Sequence, residues 1–329
     1  MRILVTGASG FVGSHVVRDL RQRSHDIVAT GRNAHRLSKL DSTGCLWAVA
    51  DLSVDPLDSL VRGCDAIVHC AARAAPWGAA ESFVRDNVTA TRRLLDAARR
   101  ASTVKRFVFL SSPSIYYQRK DQFNLDESFV PPERWSTRYA ETKWLSECAV
   151  REAVDLGAVI LRPRAVFGPR DTAIVPRLVA VAKRGYFPLP AGGRAWTDLT
   201  YVDNLCSAIA LALQPIAGLD GRVFNITNGE PLQFHDLLER LFAALRLRPR
   251  FVPVPRAVVL ALAELSERMA LLRPGTPEPK LTSYGVGLLS YSQTLSIEAA
   301  RADLGYAPVV SLQTGLERFA SWWTSRDRP

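Results

Sequence analysis

Short runs of β-branched and apolar residues alternate with amphipathic stretches through the first half of the chain. They predict strands near residues 2–6, 26–30, 45–50, 66–70, 105–111 and 158–163, with helices between them. Strand-then-helix alternation predicts the α/β class, a doubly wound parallel sheet of Rossmann type, because each parallel connection needs a crossover long enough to hold a helix. One helix is expected over residues 11–23. Another is expected over 81–100, where Phe83, Val84, Val88, Leu94 and Leu95 form an apolar face to pack on the sheet. Residues 112–136, with Pro113, Pro131 and Pro132, break the pattern; a loop of this length suits the lining of a substrate site.

Beyond Gly168-Pro169 the alternation weakens, and prolines at 176, 188, 190, 215 and 231 cut the chain into short elements. The expected organisation is a nucleotide-binding domain over residues 1–170, rejoined by 199–228, with a smaller substrate-binding lobe built from 171–198 and 229–329. Residues 256–272 read as an apolar helix interrupted by Glu264, Glu267 and Arg268. Such a helix can pack within the smaller lobe, line an apolar pocket or lie on a membrane surface, so peripheral membrane association stays open.

Composition narrows the class. The 329 residues suffice for one large α/β domain and a smaller companion. No run reaches the roughly 18 apolar residues that span a bilayer, and the chain starts directly on a core strand, so a cytoplasmic protein without an integral membrane segment is expected. Its five cysteines, at 45, 64, 70, 148 and 206, are scattered, which predicts reduced thiols. The five histidines suggest no ligand grouping, and no metal is expected. The net charge of +10 comes from arginines spread along the chain, compatible with anionic substrates, acidic partners or a membrane surface. Without interleaved exposed aromatics it does not predict nucleic-acid binding.

The chemistry begins at the first strand, which runs into Gly7, Gly10 and Gly13. Gly7 suits a tight turn, Gly10 a close approach of backbone to a pyrophosphate, and Gly13 a helix lying close to the sheet, while the helix N-terminus offers free N–H groups to phosphate. At the end of the second strand Thr30 stands where an acidic residue would hold a ribose 2′-OH, and Arg32 and Arg36 follow. The site therefore suits a 2′-phosphate: NADP(H) is the preferred cofactor, with NAD(H) as the alternative. Asp51, at the end of the third strand, is placed to reach the adenine amine or simply to cap a turn.

Tyr139 and Lys143 lie four apart, on one face of a predicted helix. A nearby ammonium favours phenolate, so Lys143 is expected to lower the pKa of Tyr139 and make it a proton donor and acceptor. Ser112 follows the fifth strand, whose carboxyl end should open onto the ligand crevice. Together these residues predict carbonyl–alcohol interconversion: Tyr139 exchanges the proton, Ser112 orients the oxygen, and Lys143 stabilises the tyrosinate and holds the nicotinamide ribose.

At this point the chain resembles the extended short-chain dehydrogenase/reductases, the NAD(P)-dependent epimerase/dehydratase superfamily. The resemblance runs over Thr6-Gly-Ala-Ser-Gly-Phe-Val-Gly13, Cys70-Ala-Ala72, Asn87 to Thr91, Ser111-Ser112, Tyr139 to Lys143, Leu161-Arg-Pro163 and Gly168-Pro169. It implies catalytic roles for Ser112, Tyr139 and Lys143. For the cofactor it implies Ser9, Phe11 and Val12 beside the three glycines, Leu52 beside Asp51, Ala71 and Ala72, and Pro163 near the nicotinamide. It also implies a homodimer built through helices such as 81–100 and 136–154.

Departures from the family pattern narrow the branch. Pro113-Ser114 replaces the acidic pair of the 4,6-dehydratases, and the segment Ala195 to Thr200 lacks the arginine with which nucleotide-sugar enzymes clamp a diphosphate, although Arg194 lies just upstream. The chain looks more like the 3β-hydroxysteroid dehydrogenase, sterol-4-carboxylate dehydrogenase and 2-alkyl-3-ketoalkanoate reductase branch. That likeness implies a hydrophobic small-molecule substrate with a β-keto or β-hydroxy acid. Trp77, Tyr116 and Tyr117 are then candidate apolar walls, Ser114 a candidate polar contact, and Arg73 or Arg164 a candidate carboxylate partner. Alternatives are a nucleotide-sugar epimerase or reductase and a non-catalytic NADP(H)-binding regulator.

Overall fold

The computed structural model describes residues 1–172 and 174–326. Seven strands, largely buried and apolar except for the exposed edge strand β3, form one parallel sheet: β1 (Arg2–Thr6), β2 (Asp26–Gly31), β3 (Leu46–Val49), β4 (Ala66–His69), β5 (Arg106–Leu110), β6 (Ala158–Pro163) and β7 (Val223–Ile226). Their spatial order is β3-β2-β1-β4-β5-β6-β7, every neighbouring pair being parallel. The order reverses between β1 and β4, the topological switch point at which a doubly wound sheet opens a crevice. Ile3 and Val5 join one core while Leu4 joins the other, as strand alternation between two covered faces requires. The predicted strands match the observed ones to within about two residues at their ends.

Three helices bear on the site: α1 (Phe11–Gln22), α2 (Ala90–Ala101) and α3 (Arg138–Arg151). The single helix expected over 81–100 is interrupted. Residues Ala80–Phe83 form one turn and Val84–Thr89 a π-helical segment before α2 begins. The wider turn changes the facing of the residues: Phe83, Val88, Leu94 and Leu95 are buried as expected, but Val84 is exposed and Asp86 is turned inward. The stretch after β5 is pinned rather than free. Pro113–Tyr116 make a short 3-10 turn, and Gln122–Leu125 pairs with Gln293–Leu295 in a small second sheet.

A third apolar cluster gathers Phe167, Val175, Phe187, Leu189, Phe234, Phe242, Leu312 and Phe319 away from the large sheet. It includes residues of α4 (Phe234–Ala244), which α5 (Arg256–Leu271) and α6 (Ser283–Ser290) follow in the chain. Among the described residues no helix is long and apolar enough to cross a membrane. The cysteines are free thiols. One possible ligand grouping does occur, His235, Asp236 and Glu239 on the first turns of α4, which the histidine spacing did not suggest. It is a mostly exposed cluster in which His235 lies 3.6 Å from Asp236 and 3.7 Å from Glu239.

Candidate active site

The turn from β1 to α1 is shaped by two glycines. Gly7 has φ +66°, and a Cβ there would sit 2.8 Å from the Ala71 backbone; a Cβ on Gly13 would sit 2.3 Å from the Gly7 carbonyl oxygen. A side chain at either position would force the loop apart. No side chain caps the N-terminus of α1 at Gly10, so its first N–H groups are left for a ligand. Gly7, Ser9, Gly10, Arg32, Asp51, Leu52, Ala71 and Ala72 line one cavity of about 290 Å³. Phe11 borders the adjoining mouth with Arg18, Arg36, Lys39 and Arg170. Val12 instead packs against the core.

The far end of this cavity holds a residue that sequence reasoning missed. Asp86, turned inward by the π-helical segment, accepts hydrogen bonds from Arg32 (3.1 Å), Arg73 (3.0 Å) and Arg85 (2.9 Å). Burial raises its pKa, but the arginines outweigh burial and hold the carboxyl below its ordinary range. Three cations around one anion leave the patch positive. Thr30 is spent on the Ala48 carbonyl, 2.9 Å away. Asp51 accepts from the Ser53 amide and hydroxyl, and its other oxygen lies 3.8 Å from Arg32.

At the carboxyl end of β5, Ser112 caps the following turn by accepting the Ser114 amide at 3.2 Å. The Thr137 side chain caps α3, which starts at Arg138 and carries Tyr139 and Lys143. Ser112 stands close enough to the Tyr139 hydroxyl to favour its ionised form. Burial raises the Tyr139 phenol above its ordinary value, and Ser112 opposes this only in part. The expected lowering by Lys143 is therefore not what this arrangement shows. Lys143 is turned to the Leu110 carbonyl at 2.5 Å and lies 4.0 Å over the Phe109 ring. Burial brings its ammonium down to about 7, against the pull of Glu147 and Cys70. Asn87 ties the site together, accepting from the Arg73 amide (2.7 Å) and donating to Thr142 on α3 (2.9 Å).

Ser112, Ser114, Pro163 and Arg164 border a cavity of about 260 Å³ whose other walls are Ile174, Leu178, Leu199, Phe234, Leu237, Leu288, Leu289 and Tyr284. Two buried polar atoms of these lining residues have no hydrogen-bond partner, Ser114 Oγ and Arg164 Nε. The other end of the Arg164 guanidinium meets Gln293. Burial pushes the nearby Asp198 carboxyl up to about 6, against the Leu295 amide and Arg164.

The remaining expected substrate residues lie elsewhere. Tyr116 is fully buried under the site, donating to Asn225 at 3.0 Å and accepting from Arg162, so it is a core residue rather than a pocket wall. Tyr117 is buried too, its ring edge-on to Tyr284. Arg73 is held by Asp86, away from the apolar cavity. Trp77 lines a second cleft of about 590 Å³ with Phe83, Trp135, Leu271 and Tyr284, and its indole N–H donates to the Thr276 carbonyl at 3.0 Å. Tyr284, another residue the sequence did not single out, borders both spaces.

Residues 3–227 match the model of the NAD dependent epimerase/dehydratase family. The chain belongs to that family. It is 36% identical to the 2-alkyl-3-oxoalkanoate reductase of Stenotrophomonas maltophilia (strain K279a), over 97% of this chain and 98% of the relative. It is 30% identical to the decarboxylating sterol-4-alpha-carboxylate 3-dehydrogenase of Mus musculus, over 95% of this chain and 88% of that one. Among solved structures, gox2253 matches with a TM-score of 0.82 at 27% identity, covering 99% and 98% of the two chains. UDP-glucuronic acid 4-epimerase from Bacillus cereus in complex with NAD shares the fold, with a TM-score of 0.77 at 22% identity and coverage of 98% and 96%. The epimerase/dehydratase membership and its reductase and dehydrogenase relatives make the chain an NAD(P)-dependent oxidoreductase. A dinucleotide fits the residues present: the cradle at Gly7 and the uncapped α1 terminus suit a pyrophosphate.

Proposed function

We propose that this family member is an NADP(H)-dependent ketoreductase that interconverts a ketone and a secondary alcohol on an oily β-keto or β-hydroxy acid or a sterol-like acid. The carrying observation is the apolar cavity beside Ser112, in which only Ser114 Oγ and Arg164 Nε are buried without partners among the lining side chains described. Orphaned donors in an apolar wall suit a substrate with one polar, anionic end and a hydrocarbon body. The relatives named for 2-alkyl-3-oxoalkanoate and sterol-4-carboxylate substrates support the same reading. The preference for NADP(H) rests on the positive patch formed by Arg32, Arg73 and Arg85 around Asp86 and on the absence of an acidic residue at Thr30.

In the proposed reaction, bound nicotinamide supplies or takes the hydride. Tyr139 gives its proton to the carbonyl oxygen during reduction and recovers one during oxidation. Ser112 holds that oxygen by a hydrogen bond, and Lys143, freed from the Leu110 carbonyl, steadies the tyrosinate and the cofactor ribose. In this scheme residues 1–170 and 199–228 hold the cofactor, while 171–198 and 229–329 shape the substrate space.

The test uses the purified chain with NADPH and a long-chain β-keto acid, its methyl ester, or UDP-sugars. Turnover of the acid is expected, and Tyr139→Phe should lower kcat by roughly 10²–10⁴-fold while NADPH still binds. Turnover of UDP-sugars without ketone reduction, or full activity of Tyr139→Phe, would sink the proposal.

A further inference from the structure

The helix α5 is built inside out. Its inward side is small, with Val259, Ala263 and Ala270 buried and the first two packed on Val286 of α6. Its larger apolar side chains face solvent: Val258, Leu262, Leu265 and Met269, at i, i+4, i+7 and i+11, with Leu272 extending the stripe at the end. The spacing keeps the first four within one narrow arc of the helix. A contiguous exposed stripe of this kind calls for an occupant, unlike scattered surface leucines.

The charges around the stripe identify that occupant. Arg268, one residue before Met269, and Arg273, just past the helix end, are exposed near it, whereas Arg256 is stacked 4.5 Å over the Tyr291 ring on the packed side. The helix has two acids, and both are engaged: Glu264 pairs with Arg119 at 2.6 Å, and Glu267 accepts from the Ser283 amide at 2.7 Å. The outward face is thus apolar and cationic, the combination that lies in the interface of an anionic bilayer. A second copy of the chain suits it poorly. A two-fold contact sets a patch against itself, and arginines without acids in the patch would meet arginines.

We propose that α5 docks the protein on an anionic phospholipid surface, with Val258, Leu262, Leu265, Met269 and Leu272 in the acyl boundary and Arg268 and Arg273 on the lipid phosphates. The end of the helix also borders the second cleft, through Glu267 and Leu271, and that cleft reaches Tyr284 at the edge of the Ser112 cavity. These two residues lie on the side of α5 away from the stripe, so the docking is independent of the proposed function.

The experiment is co-sedimentation of the full chain with vesicles of phosphatidylglycerol and phosphatidylcholine, or of phosphatidylcholine alone, at low and high salt and without substrate. Binding to the anionic vesicles should exceed binding to the neutral ones by on the order of twentyfold, at roughly fivefold per arginine, and should weaken with salt. Leu262→Glu with Leu265→Glu should abolish it while NADPH binding and thermal stability are kept. If that pair does not fold, Arg268→Glu with Arg273→Glu carries the test and should remove the preference for anionic vesicles. Absence of vesicle binding by the unaltered chain, or retention of that binding in folded variants, overturns the proposal. So does a concentration-dependent dimer that the leucine substitutions dissolve, which would assign the face to a second copy.

Discussion

Arg162 on β6 and Glu147 on α3 form an ion pair whose side chains are 1% and 0% exposed, directly behind the serines that end β5. Glu147 also accepts the Ser111 hydroxyl at 2.6 Å and lies one turn beyond Lys143 on the same helix face. A buried pair of this kind is a weak source of net stability, but removing one partner strands the other charge. Glu147→Gln leaves Arg162 in the core without its anion and should cost about 3–5 kcal/mol in urea unfolding. An unchanged urea midpoint would show that the arginine finds another partner.

The pH dependence follows from burial of Tyr139 and Lys143. With its phenol raised above the ordinary value, Tyr139 is protonated at neutral pH, so kcat/KM for reduction should show no loss from this group until above about 10. Oxidation, which needs the tyrosinate, should instead accelerate as pH rises. Lys143 governs stability. Its ordinary value of 10.5 is brought to about 7 by burial, so between these values the unfolded chain holds a proton that the folded chain does not. Its contribution therefore rises with pH through that window and is least favourable below about 7, where both states are charged. Urea midpoints measured across the window for the wild type and for Lys143→Met should differ in slope, the variant losing the rise.

Cofactor choice should turn on Arg32, which Asp86 holds at the rim of the nucleotide cavity. Arg32→Ser is expected to raise KM for NADPH by roughly 10- to 100-fold, the worth of a charged hydrogen bond to a phosphate, with little change for NADH. Equal effects on both cofactors in steady-state kinetics would remove Arg32 from any contact with a 2′-phosphate.

The parts of this site that were legible in the sequence are those set by local geometry. A strand, a glycine turn and a helix fix Gly7, Gly10 and Gly13 together, and the end of β5 places Ser112. Asp86 was hidden because a regular helix over 81–100 was expected, and only the π-helical segment explains its inward turn. Glu147 with Arg162 on the next strand, and Tyr284 with Tyr117 far away in sequence, meet through packing between elements, which periodicity does not report. Tyr116 read as a pocket wall because an aromatic after Ser112 suits one, yet its hydroxyl finds Asn225 and Arg162 below the site. The pKa lowering expected of Lys143 on Tyr139 failed for a different reason: adjacency on a helix says nothing of burial, and burial dominates both groups.

Arg164 gives the sharpest test of substrate class, because its unpartnered Nε belongs to a wall that is otherwise largely hydrocarbon. Arg164→Met keeps the bulk of the side chain and removes the charge. Asp198, already pushed up to about 6 by burial, then loses its nearby cation and rises further towards the neutral form. The variant should therefore fold. KM for a β-keto acid should rise by roughly 10- to 100-fold, the value of a charged hydrogen bond, while KM for the methyl ester stays within about threefold. Parallel losses on acid and ester would mean that Arg164 shapes the cavity without reading a carboxylate. A loss of kcat on both would instead place it in the support of Ser112 and Tyr139.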